Sequence, residues 1–172
     1  MLKYTPEWIA PNLITLVAFL LVISQHLIFM FYGEDQFGKA IPPWKCVMMC
    51  ITILIYQHLD NLDGKQARKT SILILYLGNS TPVGMLFDHG ADAITAVLFG
   101  FQISVVFGVQ SYNFNIFLMV YVVLYPNFAG LWNQYSIGHF KLDRINPIDE
   151  GLPTYALFAL GGAFIDYFKI FN

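Results

Sequence analysis

The sequence predicts an all-α, polytopic membrane bundle of about five transmembrane helices. Apolar residues make up 57% of the 172-residue chain and charged residues only 12%, about half the charged share of a soluble globular domain. The apolar residues gather in five long runs, on the scale of the ~20 residues that a helix needs to cross a bilayer. Polar connections containing Lys, Arg, Asp, Pro and Gly separate those runs. The net charge of −2 is too balanced for a nucleic-acid partner.

The first run extends from Ile9 to Tyr32. No cleavable signal pattern precedes it, so it reads as a retained first span. The connection Gly33 to Pro43 carries Glu34, Asp35 and Lys39, and the second run follows from Trp44 to Leu62. Cys46 and Cys50 within it read as small buried hydrophobes, because a disulfide framework or metal site needs more ligands. The stretch SILILYLG, from Ser71, is apolar but too short to span. It either extends the second helix, lies at the membrane interface or covers a site. The third run extends from Gly84 to Val109 and the fourth from Phe114 to Trp132. A polar segment, Asn133 to Gly151, leads to the fifth run, Thr154 to Phe171. There is no internal repeat, and residues 1–172 are expected to form a single, incomplete membrane domain.

Lys65, Arg68 and Lys69 follow the second span, Lys141 and Arg144 follow the fourth, and Lys3 precedes the first. With five spans these all fall on one side, which the positive-inside bias assigns to the cytosol. Lys39 and Lys45 fall on the other.

Four aspartates bordering these spans need an explanation, since each costs about 2.5–3.5 kcal/mol at the centre of a membrane helix. On a helix, Asp60, Asp63, Gly64, Ala67 and Arg68 fall at i, i+3, i+4, i+7 and i+8, one continuous stripe. Gly84, Asp88 and Asp92 form a second stripe at i, i+4 and i+8. If the two stripes face each other, four carboxylates converge and repel unless cations compensate. Hard oxygen ligands favour Mg²⁺, Mn²⁺ or Ca²⁺ over zinc, and two such ions suit displacement at phosphorus. Gly64 and Ala67 leave room for a ligand beside the metals, and Arg68 suits a phosphate oxygen. His89 and Asp92 are the two candidate bases. His89 also reads as a local capping residue at a helix start. His26, His58 and His139 stand off the stripe or its expected side and read as structural.

The same residues resemble the signature of the CDP-alcohol phosphotransferases, D-x-x-D-G-x-x-A-R followed by G-x-x-x-D-x-x-x-D. Here it reads DNLDGKQAR and GMLFDHGAD, and every fixed position matches: Asp60, Asp63, Gly64, Ala67, Arg68, Gly84, Asp88 and Asp92. WIAPNLITL, FDHGADA and WNQYSIGHFKLDRINPIDEGL resemble the eukaryotic choline and ethanolamine branch, so the likeness runs from Trp8 to Gly151. The resemblance implies transfer of phosphocholine or phosphoethanolamine from CDP-choline or CDP-ethanolamine to diacylglycerol, with release of CMP. It implies two Mg²⁺ or Mn²⁺ ions on Asp60, Asp63 and Asp88, with Asp92 shared between metal and proton transfer. Gly64, Ala67 and Arg68 would hold the CDP, with Asn12 nearby. Glu150 and Asn146 would line the headgroup or acceptor site, or else cap the next helix. The resemblance also implies a homodimer in the endoplasmic reticulum or Golgi membrane, its active site facing the cytosol.

Two features depart from the family pattern. Fifteen residues, not eight, separate Arg68 from Gly84, and the excess, Ser71 to Leu77, is expected to be a looped-out or interfacial insert. The branch's members are also longer, with further spans after this point, so a fragment or shortened form is expected. A non-catalytic homologue acting as a partner, or inert, is the competing reading. A different acceptor is a third, against which the W-x-x-Y and N-x-x-x-E-G elements speak.

Overall fold

A computed structural model describes Pro6 and residues 9–31, 39–75, 82–109, 114–137 and 147–165. Lys3, Trp8, Glu34, Asp35, His139, Lys141, Arg144, Asn146 and the end of the SILILYLG stretch lie outside the described residues. The described residues form five α-helices: α1 (Pro11–Phe31), α2 (Pro43–Leu75), α3 (Pro82–Val106), α4 (Phe114–Ile137) and α5 (Pro147–Gly161). Each overlaps one of the five apolar runs, α5 with only the first part of the fifth. Three helices are long and apolar enough to cross a membrane: α1, α3 from Val83, and α4.

Four of the five helices begin on proline. At a first helical position proline's missing N–H costs nothing and its fixed φ suits the helix. α3 stops at a glycine. Gly108 has φ 73°, its N–H donates to the Val105 carbonyl, and the Val109 N–H donates to the Ser104 carbonyl. That pair of bonds is the Schellman closure, and glycine is the residue that takes its left-handed position without strain.

The main difference from expectation is α2. The excess Ser71 to Leu77 is not looped out where it is described: the helix runs unbroken through Leu75. The physical reason is local, since no proline or glycine separates Gly64 from Gly78 and Leu and Lys are good helix formers. The polar segment before the fifth run is likewise shorter than drawn, with α4 continuing to Ile137 and α5 starting at Pro147.

α1 lies along α2 and α3, α5 packs on α2, and α4 packs on α3. The core where they meet contains Val22 and Phe29 of α1, Cys46, Met49 and Ile53 of α2, Phe99 and Ile103 of α3, and Ala159 of α5. Cys46 and Cys50 are buried, free thiols, as the sequence suggests. Lys45 is buried too. Its Nζ donates to the Phe29 carbonyl at 2.8 Å, satisfying an acceptor in the last turn of α1 that has no helical partner. α4 approaches α3 closely at Gly100, where a Cβ would lie 2.8 Å from the Val120 Cα. Small residues at such crossings allow membrane helices their close approach.

Gly100→Ala should therefore force α3 and α4 apart, because the obstructing atom is backbone. The expected cost is about 1–3 kcal/mol, the range for overpacking, read as a lowered thermal midpoint in detergent micelles.

Candidate functional site

The α2 helix places Asp60, Asp63, Gly64, Ala67 and Arg68 on one face, and α3 places Gly84, Asp88 and Asp92 on another. The packing of α1, α2 and α3 brings the stripes together. Asp60, Asp63 and Asp88 each offer an oxygen, and the three atoms lie within 4.8 Å of one another. Asp88, His89 and Asp92 form a second such group, so Asp88 belongs to both. Asp88 Oδ1 is buried and has no hydrogen-bond partner. A buried carboxylate oxygen without a donor is costly, and a hard cation would satisfy it. The donor set fits a divalent metal: oxygen from three carboxylates, on two helices, with one oxygen otherwise unmet.

α1 contributes the third wall. The Thr15 hydroxyl donates to Asp63 Oδ2 at 2.6 Å. A hydroxyl has one proton, so the more distant Pro11 carbonyl at 3.3 Å is the weaker alternative. Asp63 is only 3% exposed, which makes that donor its protection against burial. Asn12 sits against the start of α3: a Cβ on Gly84 would come 3.2 Å from Asn12 Oδ1. Glycine in the second stripe thus makes room for the α1 asparagine. Gly64 has a different use. The Arg68 guanidinium folds back over it, and a Cβ there would lie 3.6 Å from an Arg68 nitrogen, an ordinary contact. Its missing side chain therefore leaves space beside the carboxylates without being required by helix packing.

Asp92 joins the site through Asp88 and His89, and its two oxygens have different neighbours. Its Oδ2 lies 3.9 Å from His89 Nδ1, within ion-pair reach but too long for a hydrogen bond. Its Oδ1 accepts a bond of 2.5 Å from the Tyr56 hydroxyl. Glu150 is exposed near the start of α5 and is a member of neither acidic group. The remaining described histidines are engaged elsewhere. His58 Nδ1 faces the Leu54 carbonyl at 2.7 Å, so that nitrogen carries the proton. His26 Nδ1 accepts from Gln102 Nε2 at 2.8 Å.

Three contributors go unnoticed in the sequence. Tyr56 sits one turn before Asp60, so continuing the first stripe backwards by four would have reached it. Thr15 sits three residues after Asn12 on the same face of α1. Gln66, fully buried, donates to the carbonyls of Pro6 and Ile9 at 3.1 and 3.2 Å, tying α2 to the segment that enters α1. Nothing in its spacing signals that bond.

Residues 8–164 match the model of the CDP-alcohol phosphatidyltransferase family. The chain is 35% identical to human ethanolaminephosphotransferase 1 over 144 residues, covering 79% of this chain and 34% of that protein. It is 36% identical to a Dictyostelium discoideum CDP-alcohol phosphatidyltransferase class-I family protein over 88% of this chain and 36% of that one. It is 30% identical to rat cholinephosphotransferase 1 over 97% of this chain and 41% of that one. The chain thus spans between about a third and two-fifths of the length of these relatives.

Titrating Mg²⁺ into the detergent-solubilised protein should raise its thermal midpoint, and Asp63→Asn should abolish most of that rise. A full Mg²⁺-dependent rise in the variant would exclude the two-helix acidic group as the ion's site.

Proposed function

The chain belongs to the CDP-alcohol phosphatidyltransferase family, and from that premise we propose that it transfers phosphocholine or phosphoethanolamine from a CDP-alcohol to the hydroxyl of diacylglycerol, releasing CMP. The observation that carries the reading is the meeting of Asp60 and Asp63 with Asp88 from a separate helix, with Asp88 Oδ1 left without a protein donor. Such an arrangement destabilises an idle protein and suits one that binds a cation and a pyrophosphate together.

The roles follow from the chemistry of phosphoryl-type transfer, which needs neutralised charge and alignment more than covalent help. Asp60, Asp63 and Asp88, with Asp92, would hold two divalent ions, Mg²⁺ or Mn²⁺. When bound, these would neutralise the pyrophosphate and the departing CMP. Arg68 would hold a phosphate oxygen through paired N–H bonds. Gly64 and Ala67 provide the space into which the CDP fits, and Asn12 stands at its edge. Glu150 would meet the headgroup or the acceptor. The lipid hydroxyl oxygen attacks the phosphorus next to the alcohol, and the bond from that phosphorus to the CMP oxygen breaks. The hydroxyl proton leaves to the His89–Asp92 pair, whose position beside the acidic group suits a base.

A site at this end of α2 and α3 would face the cytosol, in the endoplasmic reticulum or Golgi membrane, in a homodimer. The burial of Lys45 supports that orientation. Its ammonium is taken up by the Phe29 carbonyl, so it does not act as a headgroup-facing charge on the opposite side.

The test is transfer from radiolabelled CDP-choline and CDP-ethanolamine to diacylglycerol in mixed micelles, with and without Mg²⁺. Metal-dependent product is expected, and Asp92→Asn should reduce it by at least about 100-fold, on the scale of losing general-base catalysis. The preferred donor names the headgroup. Folded protein that makes no product with either donor would be a non-catalytic homologue.

A further inference from the structure

We propose that Tyr56 is a positioning residue for Asp92, holding one oxygen of that carboxylate by a hydrogen bond and leaving the second to face His89. The inference rests on the transferase reading of the site and adds a residue that the aspartate signature does not contain.

The geometry separates the four aspartates into unequal members. Asp60, Asp63 and Asp88 converge on one point. Asp92 shares a group with Asp88 and His89 instead, and its two oxygens have different neighbours. Oδ1 accepts from the Tyr56 hydroxyl at 2.5 Å, and Oδ2 faces His89 at 3.9 Å. A carboxylate that rotates freely would offer either oxygen to either neighbour. A short bond to one oxygen fixes the plane of the group and so fixes what the other oxygen meets.

Tyr56 is itself held. It is 5% exposed, and its ring meets Phe99 of α3 edge-on, with centroids 5.9 Å apart. The hydroxyl therefore approaches Asp92 from a ring that the core fixes in place. Tyrosine suits this position chemically. It is a neutral donor, so it steadies Asp92 without adding a cation that would compete with metal for the neighbouring carboxylates. The contact also joins α2 to α3 one turn deeper than Asp60, beneath the acidic group.

The test is Tyr56→Phe, which removes the hydroxyl and retains the ring on Phe99. With the transfer assay, kcat should fall roughly 10–100-fold, the range of a hydrogen bond to a charged group, while KM for the CDP-alcohol stays within about threefold of wild type, as for an interaction that matters in the transition state. A second readout needs no turnover. Thermal midpoints of metal-free wild type, Y56F, D92N and the double variant form a cycle, and the two single shifts should not add. Additive shifts, or Y56F turnover within twofold of wild type, would overturn the proposal. If the wild type makes no product, the transferase reading fails by itself and the thermal cycle alone decides whether Tyr56 acts through Asp92.

Discussion

Asp60, Asp63 and Asp88 bring oxygens within 4.8 Å of one another. Two unit charges at that separation repel by roughly 3–4 kcal/mol at the effective dielectric of a protein near its surface. Such a cluster survives in a folded chain only if packing elsewhere holds the helices in register and something in the site answers the charge. Both needs are visible. Cores of α1, α2, α3 and α5 meet deeper in the bundle, so the helix ends bearing the aspartates are not free to splay. Within the site, Thr15 donates to Asp63 and Tyr56 to Asp92, while Asp88 Oδ1 has no protein donor.

α1 carries none of the aspartates, yet the site depends on it. Thr15 reaches across to α2, and Asn12 reaches the glycine at the start of α3. In return α2 secures both ends of α1. Gln66 holds the carbonyls of Pro6 and Ile9 before it, and Lys45 holds the Phe29 carbonyl in its last turn. The Phe29 carbonyl lies in the last turn of α1, where the helix offers it no partner, so the Lys45 bond completes the backbone's pairing and also fixes α1 against α2. A shift of α1 would break these bonds and remove the donor from Asp63 together.

The reading of the aspartates from sequence rested on helical periodicity, which is local and strong: offsets of three, four, seven and eight place side chains on one face whatever the rest of the chain does. Prolines stand at the starts of four helices, a local signal that hydropathy alone does not use, so the apolar runs miss those starts by one to seven residues. Thr15 and Tyr56 were invisible for the complementary reason. Each is an unremarked residue in an apolar span, one of ten tyrosines in the case of Tyr56, and its partner lies 48 or 36 positions away. Only the packing of one helix on another selects it. The segment from Ser71 to Leu75 is helical rather than looped out, because its composition contains nothing to break a helix before Gly78, a local signal that its apolar character and place at the membrane edge conceal.

α4 shows the opposite constraint. Phe114, Phe117, Tyr121, Tyr125, Phe128, Trp132 and Tyr135 recur at steps of three and four and are all exposed. Neighbouring rings contact each other, as in Phe114 with Phe117 and Phe128 with Trp132. In water such a face would be a large adhesive patch; against acyl chains it carries no such penalty. The helix supplies none of the aspartates and approaches α3 closely at Gly100. The side-chain bonds from Thr15 to Asp63 and from Tyr56 to Asp92 therefore sit on the side of α3 that faces α1 and α2, where charge must be held, while α4 meets α3 through close packing. That division puts the polar bonds of the acidic site where α1, α2 and α3 meet.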